Sequence, residues 1–331
     1  MQWEKSSLRE ALGKTLVELG DKHPELVVVN ADLVNSVKSI YFKAKYPERT
    51  VEVGIAEQNM IGIAAGLASM GMIPVALTFA RFASKRAADQ ISMCVDYSRN
   101  NVKIIGAYAG IFTGRQGVSQ QTIEDTATMR AMPNMVVIDT ADVVEVRAVL
   151  HFAAAYDGPI YIRVGRDEWP VVFDSAYQFE FGKGRVLRDG HDVMLLNSGL
   201  LLPYALEAAE LLGQEGISAG VINMPTVKPL DRTLIEQVAR EVGALVTVEN
   251  HNILGGFGGA VAEAVVESWP AHMERVGILD EYSESAPNDD LAEKHRLTAP
   301  HIAAAARRVL ARKQRQYEPR GWAGASVSGT D

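Results

Sequence analysis

A single cysteine, Cys94, stands in 331 residues, so no internal disulfide can staple the chain. The amino terminus, MQWEKSSLRE, lacks the apolar stretch of a secretory signal, and together the two absences point to a cytoplasmic protein. No window approaches the roughly 18 uninterrupted apolar residues of a membrane-spanning helix. Histidine is scarce: the seven present show neither HxxxH nor Cys/His ligand spacing, which speaks against a zinc site and leaves no metal ligand to nominate. Basic residues are outnumbered 33 to 41, for a net charge of −8, so neither nucleic acid nor a membrane is expected as a principal partner.

What is present is the composition of a globular protein, 47% hydrophobic and 22% charged, with length for about two domains. Short apolar, β-branched runs alternate with helix-length amphipathic segments. Leu26–Val29, Thr50–Ile55, Ile73–Phe79, Val102–Ala107, Met135–Asp139 and Ile160–Val164 read as buried parallel strands. Helical patterns fall near 7–20, 36–45, 57–70, 83–98 and 142–155. A second alternation starts at Val193, with strands near 193–197, 218–224, 244–249 and 275–279 and helices near 203–214, 231–242, 258–268 and 299–313. The fold class expected is α/β, with two open α/β-sheet domains over 1–172 and 192–313. Residues 173–191 read as the linker and 314–331 as a loose tail, basic and then Gly/Ser-rich.

In open α/β sheets ligands sit at the carboxyl ends of the strands, so the residues after each strand have first claim on function. Asp32 and Ser36 follow the first strand, where they could equally satisfy loop amides or cap a helix. Glu57 opens a helix directly after VEVGIA. It could be simply a favourable charge at the helix amino terminus, but its neighbours Ile55, Ala56 and Ile61 are apolar, and desolvation favours the neutral, proton-donating form of a carboxyl. Gly62 and Gly66 would let another backbone approach this helix. The glycines of ILGGFGGAVAEA hint at a dinucleotide loop, yet Val261 stands where GxGxxG needs its third glycine.

The runs GIAEQNMIGIAAGLASMG, LTFARFASKRAADQI and GIFTGRQGVSQQTIEDTATMRAMPNM together resemble the pyrimidine-binding domain of transketolases, in the style of the animal-type enzymes. VTVENHNILGGFGGAVAEAV resembles their carboxy-terminal domain. The resemblance runs from Arg9 to about Val309. It implies thiamine diphosphate as cofactor, with Glu57 as the catalytic carboxyl that hydrogen-bonds the aminopyrimidine and favours its imino tautomer, so that the cofactor can carry a two-carbon ketol unit from a ketose to an aldehyde. It implies further that Phe79 and Phe82 pack on the aminopyrimidine and that Asp32 and Leu33 line the thiazolium pocket. Lys85 stands where several microbial relatives have a tyrosine. Arg9, Ser36 and Arg166 match the residues holding a sugar phosphate, and Gln120 a residue facing the cofactor and the sugar hydroxyls.

Two positions depart from the family pattern. Tyr108 replaces a sugar-binding histidine, and Arg115–Gln116 replaces a Glu-Asp pair, so Tyr108 and Gln116 bear on which sugar is accepted. The chain also has no GDG...N motif, with which the family holds Mg2+ and the diphosphate. The resemblance is therefore to the carboxy-terminal subunit of a split transketolase. It implies a partner, the N-terminal subunit carrying the diphosphate-binding domain and most of the Mg2+ contacts, in an α2β2 assembly. Two alternatives stay open here: the β subunit of a 2-oxoacid dehydrogenase first component, and a catalytically silent scaffold subunit.

Overall fold

The computed structural model describes residues 3–314; beyond Gln314 the expected tail lies outside the described residues. The chain opens with strand β1 (Lys5–Ser7) and helix α1 (Leu8–Lys22), started by the Ser7 hydroxyl accepting from the Glu10 amide. Then come β2 (Leu26–Asn30), α2 (Ile40–Lys45), β3 (Thr50–Glu52), α3 (Glu57–Ser69), β4 (Ile73–Phe79), α4 (Ala80–Lys85) and the short α5 (Ala88–Gln90). Next follow β5 (Lys103–Ala107), α6 (Asp125–Arg130), β6 (Val136–Asp139), α7 (Val143–Ala155), β7 (Ile160–Val164) and β8 (Glu168–Pro170). The second half runs β9 (Arg185–Arg188), β10 (Val193–Ser198), α8 (Leu202–Gln214), β11 (Ala219–Asn223), β12 (Thr226–Lys228), α9 (Arg232–Glu241), β13 (Ala244–Asn252), α10 (Phe257–Glu267), β14 (His272–Ile278), α11 (Asn288–Lys294) and α12 (Ala299–Gln314).

The strands form a seven-stranded sheet ordered β12-β6-β7-β5-β4-β2-β3 and a five-stranded sheet ordered β14-β13-β10-β11-β9. Every pairing in the first sheet is parallel except β12 with β6, and every pairing in the second except β9 with β11. Central strands such as β2 and β4 are buried along their whole length, which is why they read as unbroken apolar runs. Successive side chains serve opposite faces: Leu26 and Val28 join one core, while Val27 and Val29 join the other. Both cores draw on both sheets, so neither half of the chain closes its core alone.

Several details differ from the sequence reading. The helix expected over 83–98 is broken, because the amides of Arg86 and Ala87 both donate to the Phe82 carbonyl and end α4; Ile91–Tyr97 then winds in wide π-type turns. Residues 173–191 are more than a connection, since β9 lies among them and pairs with β11. β12, from the second half, pairs with β6 in the first sheet. The halves are tied further by Glu145, whose Oε1 accepts from Tyr177 Oη at 2.5 Å and Asn223 Nδ2 at 2.8 Å, and by Trp169 Nε1 donating to the Leu200 carbonyl at 2.7 Å. Burial pushes the Glu145 carboxyl up to about 8 against these donors.

Candidate active site

The sequence-nominated residues gather at the carboxyl edge of the first sheet. Glu57 follows β3, Phe79 ends β4, Tyr108 follows β5 and Arg166 follows β7, while Arg9 reaches in from the first turn of α1. Gly54, at φ +73°, turns the chain from β3 into α3, a conformation that a side chain at that position would strain. That turn sets Glu57 at the start of α3 with its carboxylate buried.

From Glu57 a continuous string of contacts leads across the sheet edge. Arg86 Nη1 donates to Glu57 Oε1 at 2.9 Å, and its guanidinium lies 3.8 Å from the Phe82 ring centroid. Phe82 and Phe79 have centroids 5.4 Å apart, and Phe79 and Tyr108 are at 4.1 Å. Tyr108 is buried, at φ +62°, a left-handed conformation unusual for an aromatic residue. Its hydroxyl accepts from Arg9 Nη1 at 3.2 Å, and the guanidiniums of Arg9 and Arg166 lie 5.8 and 5.4 Å from its ring. Arg9 also donates to the backbone carbonyls of Arg166 at 2.9 Å and Ser36 at 3.2 Å. One end of the string is thus a buried carboxylate, the middle a row of aromatic rings, and the far end a pair of guanidiniums. Such an arrangement can hold a proton at one end, stack a flat heterocycle along the middle and take an anion at the other.

Other nominated residues take different places. Asp32 is exposed at φ +56°, its amide donating to Glu52 Oε1 at 2.6 Å, and Leu33 packs half-buried on the core. Ser36 meets Arg9 through its carbonyl and not its hydroxyl. Lys85 turns to Glu124, Nζ to Oε1 at 3.1 Å, beside Arg81 at 3.0 Å. Burial would raise the Glu124 carboxyl, but the Ile123 amide and Lys85 hold it below its ordinary value. Gln116 lies exposed on a short turn at Gly114–Gln116, and Gln120 Oε1 accepts from Ser119 Oγ at 2.6 Å. Among the described residues neither glutamine hydrogen-bonds a member of the string. Gly62 and Gly66 have open space where a Cβ would stand, so among the described residues nothing uses the approach they permit.

Sequence reasoning missed Arg86. Its signal was present: it stands four residues after Phe82, the spacing that stacks side chains on one helical face. Also missed was the charged layer directly beneath. Arg163 of β7, fully buried, donates through Nε to Asp125 at 2.8 Å, through Nη1 to Asp139, and through Nη2 to the Asn250 carbonyl at 3.0 Å. Tyr161 donates to the same Asp125 oxygen at 2.8 Å. Burial pushes the Asp139 carboxyl up to about 6, with Arg163 opposing. His251 completes the layer: Nε2 accepts the Ala127 amide at 3.4 Å, Nδ1 faces the Asn252 carbonyl at 2.7 Å, and burial lowers its pKa to about 4. At Gly110 the Asn250 amide lies 2.1 Å from where a Cβ would stand, so only glycine lets the loop after β5 lie on the second half. Among the described residues no group of three His, Cys, Asp or Glu side chains is placed to hold a metal ion.

Comparison with known proteins shows the family of the chain. Residues 4–171 match the family profile described as transketolase, pyrimidine binding domain, and residues 182–302 that described as transketolase, C-terminal domain. The chain is 40% identical over 310 residues to the 6-deoxy-6-sulfo-D-fructose transketolase subunit of a Clostridium species, covering 94% of this chain and 96% of that protein. It is 35% identical over 274 residues to an apulose-4-phosphate transketolase subunit of Phocaeicola vulgatus, covering 82% and 88%. Among solved structures, a split gene transketolase described as an inactive beta4 tetramer superposes with a TM-score of 0.85 at 44% identity, over 93% of this chain and 99% of that one. The chain therefore belongs to the transketolase family and pairs its pyrimidine-binding domain with its C-terminal domain, as the carboxy-terminal subunit of a split transketolase does.

Proposed function

We propose that this chain supplies the pyrimidine-binding half of a thiamine diphosphate-dependent transketolase, and that it moves a ketol unit from a ketose with an anionic tail once a partner subunit contributes the diphosphate half of the site. The observation that carries this reading is the string from Glu57 through Phe82, Phe79 and Tyr108 to Arg9 and Arg166. Its residues fit the cofactor. Among the described residues Glu57 Oε2 takes no hydrogen bond while Oε1 accepts from Arg86, which leaves one carboxylate oxygen for a ring nitrogen. Phe79 and Phe82 offer the apolar faces an aminopyrimidine needs. When bound, thiamine diphosphate supplies the electron sink for carbon–carbon cleavage.

The protein's own contribution is positional. Glu57 presents its second carboxylate oxygen to the pyrimidine end, and Arg86 fixes the carboxylate by a charge-assisted hydrogen bond. The aromatic pair orients a flat ring and excludes water from its face. Arg9 and Arg166 present planar guanidiniums suited to a phosphate or sulfonate tail. The relatives named for a sulfo-sugar and for a sugar phosphate are in keeping with a site selected by its substrate's anionic end.

The test is Glu57→Gln in the complex reconstituted with the partner subunit. An amide of the same shape cannot deliver a carboxyl proton, so kcat/KM should fall by about 10²–10⁴ with circular dichroism and melting temperature unchanged. Full turnover by this variant would refute the assignment.

A further inference from the structure

Asparagine is favoured at helix starts because its side chain can cap the helix's own free amides. Asn288 begins α11, yet no side chain caps that helix. The Asn288 amide reaches instead out of the C-terminal domain to the carboxyl edge of the first sheet. Its Oδ1 accepts the Gly114 amide at 2.8 Å, and its Nδ2 donates to Asp167 Oδ2 at 2.9 Å. These partners leave the amide one orientation, since an N–H can meet only its oxygen and a carboxylate only its NH2 group.

Both partners lie beside Arg166. Asp167 Oδ1 accepts from Arg166 Nη1, and the Asp167 carbonyl accepts the Leu8 amide at 3.3 Å, one residue before Arg9. Gly114 stands at φ +62°, where a Cβ would lie 3.5 Å from Asp167 Oδ2 and 3.6 Å from Arg166 Nη1. That glycine begins the turn that carries Gln116. The same stretch of the C-terminal domain holds this loop twice more. Ser285 Oγ donates to the Arg115 carbonyl at 2.7 Å, and the Glu284 carbonyl accepts from Gln121 Nε2 at 3.0 Å. With Asp167 on Nη1, Nε and Nη2 of Arg166 have no hydrogen-bond partner among the described residues.

We propose that Asn288 is a positioning residue for the substrate's anionic tail, so that the C-terminal domain has a hand in how the site reads its substrate. The inference rests on the reading of Arg166 as a tail-binding residue, and Asn288 acts on Arg166 through Asp167. A carboxylate free to turn takes a guanidinium with both oxygens, and that bidentate pair competes directly with a phosphate or sulfonate for the same donors. Held at Oδ2 by Asn288, Asp167 offers Arg166 only Oδ1. The guanidinium is thereby fixed before substrate arrives and is not used up, so less ordering cost falls on binding. The bond to the Gly114 amide ties the Gln116 turn to the same point.

The test uses the complex reconstituted with the partner subunit, with fructose 6-phosphate or fructose as donor and glycolaldehyde as the common acceptor, so that only the donor carries a tail. Asn288→Ala should raise KM for the tailed donor by about 3- to 10-fold while kcat changes by less than about twofold. Asn288→Asp, which still accepts the Gly114 amide but cannot donate to Asp167, should lose as much. In the Arg166→Ala background neither change should add to the loss. A crystal structure of the Asn288→Ala chain needs no turnover, and it should show Asp167 engaging Arg166 with both oxygens while the backbone of α11 stays in place. The inference is overturned if Asp167 and Arg166 keep their wild-type contact in that structure, if Asn288→Asp behaves as wild type, or if both donors lose equally. A tail-selective loss in Arg166→Ala with none in Asn288→Ala overturns this inference alone. No tail-selective loss in Arg166→Ala overturns the reading it rests on, and the inference with it.

Discussion

Replacing Arg163 by methionine isolates what the buried charge layer contributes. The side chain is 2% exposed, and the carboxylates it serves, Asp125 and Asp139, are 0% and 7% exposed. Arg163→Met deletes three donors at once and strands two carboxylates where solvent cannot reach. Asp125 keeps its bond from Tyr161, but its other oxygen already lacks a hydrogen-bond partner. Breaking a buried pair from one side costs about 3–5 kcal/mol, a large share of the about 5–15 kcal/mol that holds a typical domain together. Urea unfolding followed through Trp169, buried between the two halves, reads the loss directly. The penalty should shrink as pH falls from about 7.5 to 5, because the stranded carboxyls relieve the cost by taking up protons, as Asp139, already pushed up to about 6 by burial, does most readily. Removing the carboxylates as well, in Arg163→Met/Asp125→Leu/Asp139→Leu, should recover most of the loss, since apolar replacement of a whole buried ion cluster is often close to neutral. A single-variant cost below about 1 kcal/mol, or a triple variant no better than the single, would refute the reasoning.

Three further outcomes follow from the same geometry. Burial holds the His251 ring neutral, with a folded pKa of about 4 against 6.5 unfolded, so the unfolded chain binds more protons between those values and stability falls as pH drops through that window. The drop is on the order of 3 kcal/mol, and His251→Gln should flatten it; an unchanged acid limb in urea midpoints would count against the assignment. In the reconstituted complex, Arg166→Ala should lower kcat/KM for phosphate-tailed ketoses by about 10- to 100-fold, mostly through KM, and leave an untailed sugar unaffected; equal losses on both substrates would show that Arg166 does not read the tail. The chain purified without a partner should bind thiamine diphosphate weakly and turn nothing over, and tight Mg2+-dependent binding in calorimetry would remove the need for a second subunit.

The elements readable in the sequence are those whose identity is local. β2 and β4 are buried throughout, and burial on both faces leaves a short, nearly continuous apolar run of strand length. The unread elements take their identity from a distant partner. β1 and β8 are three-residue strands that exist by pairing with each other from opposite ends of the first domain, with Ser6 opposite Trp169. β12 is a strand because β6 lacks a neighbour on that side. β9, RVLR, alternates too briefly to be told from loop until β11 is known to lie beside it. The break in the helix expected over 83–98 is the converse case, where a good local pattern is interrupted by a shared acceptor, the Phe82 carbonyl.

The candidate site divides along the same line. Glu57, Phe79, Phe82, Tyr108, Arg9 and Arg166 were found because strand ends and family resemblance mark them, and the fold brings all six to one edge. What connects them was not legible. Arg86 looks in sequence like one more solvated helix charge, and its meaning comes from reaching back 29 residues to Glu57. Lys85, one residue earlier, looks equivalent and goes instead to Glu124. Adjacent helix residues point about 100° apart, so two neighbouring cations meet two different carboxylates. In sequence the two cations look alike, and only the register of α4 against α3 and α6 decides which of them holds the carboxylate where the proton chemistry is proposed.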